Sequence, residues 1–328
     1  MIPAIKKAWV YTFCFFLLTL GCTSVNSSNR EDTSNNEASV PSGITISNAD
    51  RTNKLRDRIE QISDAAQGRV GVTATVLETG KTVSLNGDQQ FPMQSVYKFP
   101  IAMAVLAQVD QGKLKLDQQV RVEPSDFVSE LQRSPIRDEN PQGTTLSLAE
   151  LLKYTVFESD GTACDVLLRL IGGSEVVTQY LRDLDVNDIV VANTEKEIGQ
   201  DEAVQYRNYT TPNATVILLR AFHEARGLSE SSQSLLLQWM TETPTGSKRI
   251  KGLLPAGTVV AHKTGSSGTV NGVTAATNDV GLVTLPNGQH MAIAVFVSDS
   301  GANDAVREEV IAKVAKAAWD EWVRFVET

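Results

Sequence analysis

Cysteine is scarce in this sequence, with 3 in 328 residues. Cys14 lies in an apolar leader and Cys22 at its end, so Cys164 alone remains in the body of the chain and no intramolecular disulfide framework is available. Histidine is equally scarce: His223, His262 and His290 have no cysteine or histidine partner at ligand spacing, so the sequence gives no zinc or iron pattern and no metal or cofactor is expected. Each histidine reads as structural. Basic clusters are absent as well. The 30 Lys and Arg against 39 Asp and Glu give a net charge of −9, and removal of Lys6 and Lys7 with the leader takes it to about −11. Such an acidic chain is a poor partner for nucleic acid. Past the leader no apolar run is long enough to span a bilayer. Stability therefore has to come from a core, and 41% hydrophobic composition over this length suits one large domain or two smaller ones.

The leader itself is legible. Lys6 and Lys7 precede an apolar run from Ala8 to Leu20, which reads as an export signal over residues 1–21. Thr19-Leu20-Gly21-Cys22 resembles the bacterial lipoprotein signal, although Thr19 stands where Leu is usual. Two readings stay open: lipidation of Cys22 as a membrane tether, or simple cleavage. Residues 22–50, rich in Ser, Asn and Thr, then read as a flexible linker. The expected location is the periplasm.

Apolar spacing predicts a helix over 52–66 and a β-hairpin in "RVGVTATVLETGKTVSLNGD", turning at Thr79-Gly80-Lys81. An apolar helix is expected from Ser95 to Gln108, and helices dominate to about residue 240. One opens with the capping box Ser147–Glu150, another at Ser174, a third at Pro212, and a fourth at Ser229 or Ser231. Three strands follow after Gly257, with Pro286-Asn287-Gly288 turning between the last two, and a long helix runs from about Ala302 to Val326. The fold class expected is α+β: an antiparallel sheet covered by helices, built from residues 51–92 and 241–328, with an all-helical domain of residues 93–240 inserted between them.

Within "FPMQSVYKFP", Ser95 and Lys98 stand at i and i+3, so they share one helix face. A serine hydroxyl is a weak nucleophile that needs a base, and burial of Lys98 among Phe91, Met93 and Phe99 would lower its pKa toward that task. Alone the pair is a weak signal, because a chain of this length holds roughly one S-x-x-K by chance. Two more elements add weight. Ser159-Asp160-Gly161 closes a helix of the helical block, and Lys263-Thr264-Gly265 lies in a strand followed by Ser266-Ser267-Gly268.

These three elements, in this order, resemble the active-site set of class A serine β-lactamases. The stretches "SVYKFPIAMAVLAQVDQGKLKLD", "SDGTACD", "TGSKRIKGLLPAGTVVAHKTGSSG" and "ATNDVGLVTLPNGQ" are similar to that family too, most of all to its PER-type extended-spectrum branch. The resemblance covers the chain from about residue 52 to the end. It implies that Ser95 is acylated by a β-lactam, Lys98 helps take its proton and Ser159 protonates the lactam nitrogen. Backbone N–H groups of Ser95 and Ser266 would form the oxyanion hole, and Lys263, Thr264 and Ser266 would bind the substrate carboxylate. Arg249 would add positive charge there.

Glu195 stands at the family interval after Ser159 and is the implied base for the deacylating water, with Glu197 as runner-up. Two departures from the family pattern touch the same step: Gly161 replaces the Asn of S-D-N, and Gly199 replaces an Asn that helps position the water. Ser267 is of a kind found in cephalosporin-hydrolysing relatives. Cys164, Asp160, Thr277, Asn278 and Asp279 read as structural. The expected function is hydrolysis of penicillins and cephalosporins by a monomer, giving antibiotic resistance. The alternatives on the same motifs are a D-alanyl-D-alanine carboxypeptidase, against which Glu195 argues, and a β-lactam sensor, which would need a second membrane segment.

Overall fold

The computed structural model describes residues 48–323. The leader, Cys22 and the linker up to residue 47 lie outside the described residues. Helix α1 (Asn48–Ser63) buries Leu55 and Ile59 and ends three residues earlier than its apolar spacing suggests, since Asp64–Ala66 tightens into a 3₁₀ turn. The expected hairpin follows as β1 (Arg69–Val76) and β2 (Thr82–Leu85).

The chain then crosses into the helical block. Its centre is α2 (Lys98–Asp110), buried continuously from Lys98 to Ala107, as expected of a helix that is apolar on every side. Around it lie α3 (Pro135–Glu139), α4 (Leu148–Lys153), α5 (Gly161–Ile171), α6 (Ser174–Asp183), α7 (Glu195–Gln200), α8 (Pro212–His223) and α9 (Glu230–Glu242). Local chemistry sets their starts: Ser147 and Glu150 form the capping box of α4, Thr211 caps α8 with Pro212 at its first position, and Ser229 caps α9.

The return to the sheet brings β3 (Val260–Ser266), β4 (Val273–Thr284) and β5 (His290–Ser300), and the chain continues into α10 (Asp304–Val323). The sheet order is β2-β1-β5-β4-β3, antiparallel throughout, with Thr269–Val270 pairing off β4 as a short sixth strand. Side chains alternate across the central strand. Met291, Ile293, Val295 and Val297 pack toward α1 and α10, whereas Ala292, Ala294 and Phe296 join the core of the helical block. That alternation explains why β5 reads as an unbroken apolar run: both its faces are buried. The architecture is the α+β arrangement expected, except that the inserted block is not all helical: Gln119–Val122 pairs with Thr144–Ser147, and Ile189–Val190 with Tyr209–Thr210, strands too short for an alternation to mark them. The sheet leaves β3 at its edge, facing the helical block.

Candidate active site

Residues Gln94–Tyr97 form one 3₁₀ turn ahead of α2, so Ser95 precedes the α-helix in which the sequence places it. Gln94 sits in the left-handed region at φ 47°, costly for a residue with a side chain, and its buried amide donates to Gln205 Oε1 at 2.5 Å. The i, i+3 relation survives the change of helix type. Lys98 Nζ donates to Ser95 Oγ at 2.9 Å and to the Ser159 carbonyl at 2.9 Å, and it pairs with Glu195 Oε1 at 2.7 Å.

This arrangement corrects the expectation for Lys98. Burial presses its pKa down most strongly of any one influence, but the charge and hydrogen bond of Glu195, with the nearby Asp160, together outweigh it, and the ammonium is held above its ordinary value. Glu195 moves the opposite way: burial would raise its pKa, while Lys98 and the hydrogen bonds around it hold it below the usual carboxylate range. The resting pair is therefore an ammonium and a carboxylate.

Ser159 also adopts a left-handed conformation, at φ 62°, between a single π-helical turn (Tyr154–Glu158) and α5. Asp160 holds this corner. It caps α5 by accepting from the Ala163 N–H at 2.9 Å, accepts from the Ile136 N–H at 2.8 Å and takes the Ser134 hydroxyl. The structural reading of Asp160 thus stands. Lys263 Nζ donates to Ser159 Oγ at 2.9 Å from the opposite side. Lys263 is fully buried, and that burial, together with the positive charge of Lys98, pushes its ammonium well below the ordinary lysine value.

Glu195 is the first residue of α7. Asp165, one turn into α5, accepts from the N–H groups of Glu195 at 2.7 Å and Lys196 at 3.0 Å, and burial raises its own pKa to about 7. The amide of Gln132 donates to the Glu195 carbonyl at 2.6 Å and to Oε2 at 3.2 Å. Gln132 also fills the room left by Gly199, where an added Cβ would lie 2.3 Å from Gln132 Oε1. At the other departure, a Cβ on Gly161 would lie 3.4 Å from Glu195 Cγ and 3.3 Å from Val128, so the neighbours close over it. Glu197, the runner-up, is spent elsewhere: its carboxylate completes the capping box of α7, accepting from the Thr194 N–H at 2.8 Å and Asn193 Nδ2 at 3.1 Å.

The edge strand β3 supplies the facing wall. A Cβ on Gly265 would lie 2.3 Å from the Met93 carbonyl oxygen and 3.2 Å from the Ser95 nitrogen, so only glycine lets the strand run this close to the Ser95 turn. Asn278 on β4 ties the same turn down, donating to the carbonyls of Pro92 at 2.8 Å and Met93 at 3.1 Å. Arg249 lies buried behind β3, where its guanidinium donates to Ser266 Oγ at 2.7 Å and to the carbonyls of Gly265 and Asn278, and meets Glu308 at 3.3 Å. Thr264 Oγ1 donates to Thr245 Oγ1 at 3.1 Å. His262 is fully buried and bonded to Asp279 at 2.8 Å, so it is structural and no rival base.

Between these walls lies a cleft of 1040 Å³, lined among others by Ser95, Lys98, Ser159, Glu195, Thr264 and Ser266. Arg249 also lines it, and Lys263 lies buried behind the lining, reaching Ser159 Oγ. Gln132 and Asp165, which contact Glu195, carry no motif; Asp165 falls inside "SDGTACD" without a spacing that marks its role, and Gln132 is known only from the fold.

The arrangement is that of a serine acyl-transfer site, with a buried carboxylate paired to the lysine that holds the serine. The beta-lactamase enzyme family matches residues 54–322, and the chain belongs to that family as a class A serine enzyme. Among its relatives, Beta-lactamase VEB-1 of Pseudomonas aeruginosa is 43% identical over 282 residues, 85% of this chain and 94% of the relative. Extended-spectrum beta-lactamase PER-1, also of Pseudomonas aeruginosa, is 41% identical over 265 residues, 81% of this chain and 86% of that one. In solved structures, a beta-lactamase from Chitinophaga pinensis DSM 2588 is 48% identical with a TM-score of 0.80, covering 82% of this chain and 99% of its own. TLA-1 extended-spectrum beta-lactamase is 45% identical with a TM-score of 0.81, covering 83% and 99%.

Proposed function

We propose that this enzyme hydrolyses penicillins and cephalosporins through an acyl-enzyme on Ser95, and so confers resistance to them. The observation that carries the reading is the buried Glu195 carboxylate, 2.7 Å from the Lys98 ammonium that in turn holds Ser95. A transpeptidase or sensor with the same three motifs stays acylated when it meets a β-lactam; a β-lactamase needs a base that activates water against that acyl group.

In acylation, Ser95 Oγ attacks the lactam carbonyl, and the oxyanion that forms is received by the backbone N–H groups of Ser95 and Ser266. The Lys98 ammonium stabilises the charge leaving Ser95 Oγ. With Lys98 protonated and Glu195 ionised at rest, the proton of Ser95 ends on Glu195, relayed by a water or by Lys98. As the ring opens, Ser159 gives its proton to the lactam nitrogen and recovers one from Lys263, which donates to its Oγ at 2.9 Å; the proton held by Glu195 passes back through water to Lys263, so that Glu195 is a carboxylate again before deacylation. Thr264, Ser266 and Lys263 hold the substrate carboxylate, and Arg249 fixes Ser266 from behind.

In deacylation, Glu195 takes a proton from water as it attacks the ester and returns it, through Lys98, to Ser95 Oγ as the ester bond breaks, while Gln132 keeps the carboxylate aimed. Ser267 stands beside this wall, its Oγ accepting from the Ala276 N–H at 3.0 Å. A small residue here leaves room for the bulky side chains of oxyimino-cephalosporins. The enzyme acts as a monomer in the periplasm, either tethered through a lipidated Cys22 or released by simple cleavage of the leader.

The test is a time course with a chromogenic cephalosporin, following the acyl-enzyme by mass. The parent should turn over many equivalents, whereas Glu195→Ala should stop after about one and stay acylated. A parent that itself stops at one equivalent would be a penicillin-binding protein.

A further inference from the structure

At the end of β5 farthest from the cleft, three residues from separate elements meet. His290 begins β5, Glu78 follows β1 in the hairpin, and His223 ends α8. One potential ligand atom from each lies within 4.8 Å of the others, and the two imidazole rings are 4.4 Å apart between centroids. We infer that Glu78, His223 and His290 form a binding site for a borderline divalent cation of the Zn²⁺ type, which clamps α8 to the sheet.

The chemistry of the donor set selects the ion. Two imidazoles and one carboxylate are ligands of zinc and its neighbours rather than of calcium or magnesium, which take oxygen. Three protein ligands leave a fourth position for water. Their combined charge of one negative unit, with both histidines neutral, suits a dication.

The geometry is largely built before the ion arrives. The Leu77 N–H donates to the His290 carbonyl at 2.8 Å, and Val76 pairs with Met291, so the sheet ladder fixes Glu78 against His290. The His290 N–H is shared between Glu78 Oε2 at 2.9 Å and Oε1 at 3.1 Å, and Oε1 also faces His290 Nδ1 at 2.8 Å. An ion bound at about 2.0–2.2 Å to two tetrahedral ligands holds them roughly 3.3 Å apart. The Oε1 and Nδ1 pair therefore has to open by about half an ångström, with the metal replacing the shared proton, while the backbone bond to Oε2 persists as the outer support. Arg220, the nearby cation of α8, already engages the Leu77 carbonyl at 2.9 Å and Glu224 at 3.8 Å. The side chains of Glu78 and His290 are 37% and 31% exposed, which leaves the ion a path in from solvent.

The test uses chelator-treated enzyme titrated with CoCl₂ and ZnCl₂. The expected result is one equivalent bound, with the visible bands of a low-coordinate Co²⁺ site and a rise in Tm of about 5 °C at a hundredfold excess over Kd. His223→Ala and His290→Ala should each weaken binding by about a hundredfold and remove the Tm rise. Both should keep chromogenic turnover, because the site lies roughly 20 Å along β5 from the level of the cleft. Should His290→Ala fail to fold, His223→Ala, at the end of its helix, decides alone. No binding at micromolar metal, or one equivalent bound undiminished by His223→Ala, overturns the assignment.

Discussion

Replacing Gln132 with alanine should slow the second half of the reaction and leave the first half nearly untouched. The Gln132 amide reaches both the carbonyl and the Oε2 of Glu195, at 2.6 and 3.2 Å. A hydrogen bond to a charged group contributes about 1.5–3 kcal/mol. The Oε2 bond is long and Lys98 still grips Oε1, so the lower end applies, about 1.5–2 kcal/mol, which is roughly a 10- to 30-fold loss in the step that needs Glu195 aimed at water. Rapid-mixing kinetics with a chromogenic cephalosporin separates the two halves. Acylation should change less than about threefold, kcat should fall by the factor above, and a burst of bound product should appear as acyl-enzyme accumulates. Gly199→Ala supplies an internal check, because its new Cβ would displace Gln132. It should slow deacylation in the parent and do little more in Gln132→Ala, a non-additive pair. Equal losses in acylation and deacylation, or a Gly199→Ala effect of the same size in both backgrounds, would refute the reasoning.

Two further outcomes follow from buried charges. Glu195 is held below its ordinary value of 4.5 in the folded enzyme, so it stays an ionised base until pH falls through that lowered pKa; the acid limb of kcat should lie below pH 4.5, and a limb above it in a pH profile would contradict the ion pair. Asp279→Ala should strand the His262 ring nitrogen and the Ile250 N–H, bonded to it now at 2.8 and 3.1 Å. At about 1–3 kcal/mol for each stranded group, Tm should drop by roughly 5–10 °C in a melting curve, and a drop under about 2 °C would show that the pair adds nothing.

The parts of this molecule that were legible in sequence are those whose partners are close in the chain. Ser95 and Lys98 meet because three residues of any helix span one turn, and Ser147 announces α4 because its capping partner stands three residues on. The main sheet and the longer helices were readable from period, down to the turn at Pro286–Gly288, whereas the short strand pair Gln119–Val122 with Thr144–Ser147 was not. Glu195 was reached by its interval within a known framework, not by its chemistry, and its neighbour Glu197 differs from it only once α7 shows which of the two is capping the helix. What stayed hidden depends on distant partners. The direction of the Lys98 shift was misjudged because burial is local, whereas the compensating carboxylate comes from another helix. Gln132 sits in a loop without any pattern, and the cluster of Glu78, His223 and His290 joins three elements that no ligand spacing connects.

The close passage of Gly265 beside Ser95, and the grip of Asn278 on Pro92 across 186 residues, bear on the order of events during synthesis. The segment holding Ser95, Lys98 and Glu195 is complete long before β3 and β4 have left the ribosome. Without those strands the Ser95 turn has no wall, the Met93 carbonyl no partner from Asn278, and the oxyanion no second donor. A nascent or truncated chain therefore carries the nucleophile and the Lys98–Glu195 pair without Lys263, Thr264 and Ser266, and has no activity. Competence waits for the sheet to close over the Ser95 turn, so turnover of a chromogenic substrate reports that long-range closure.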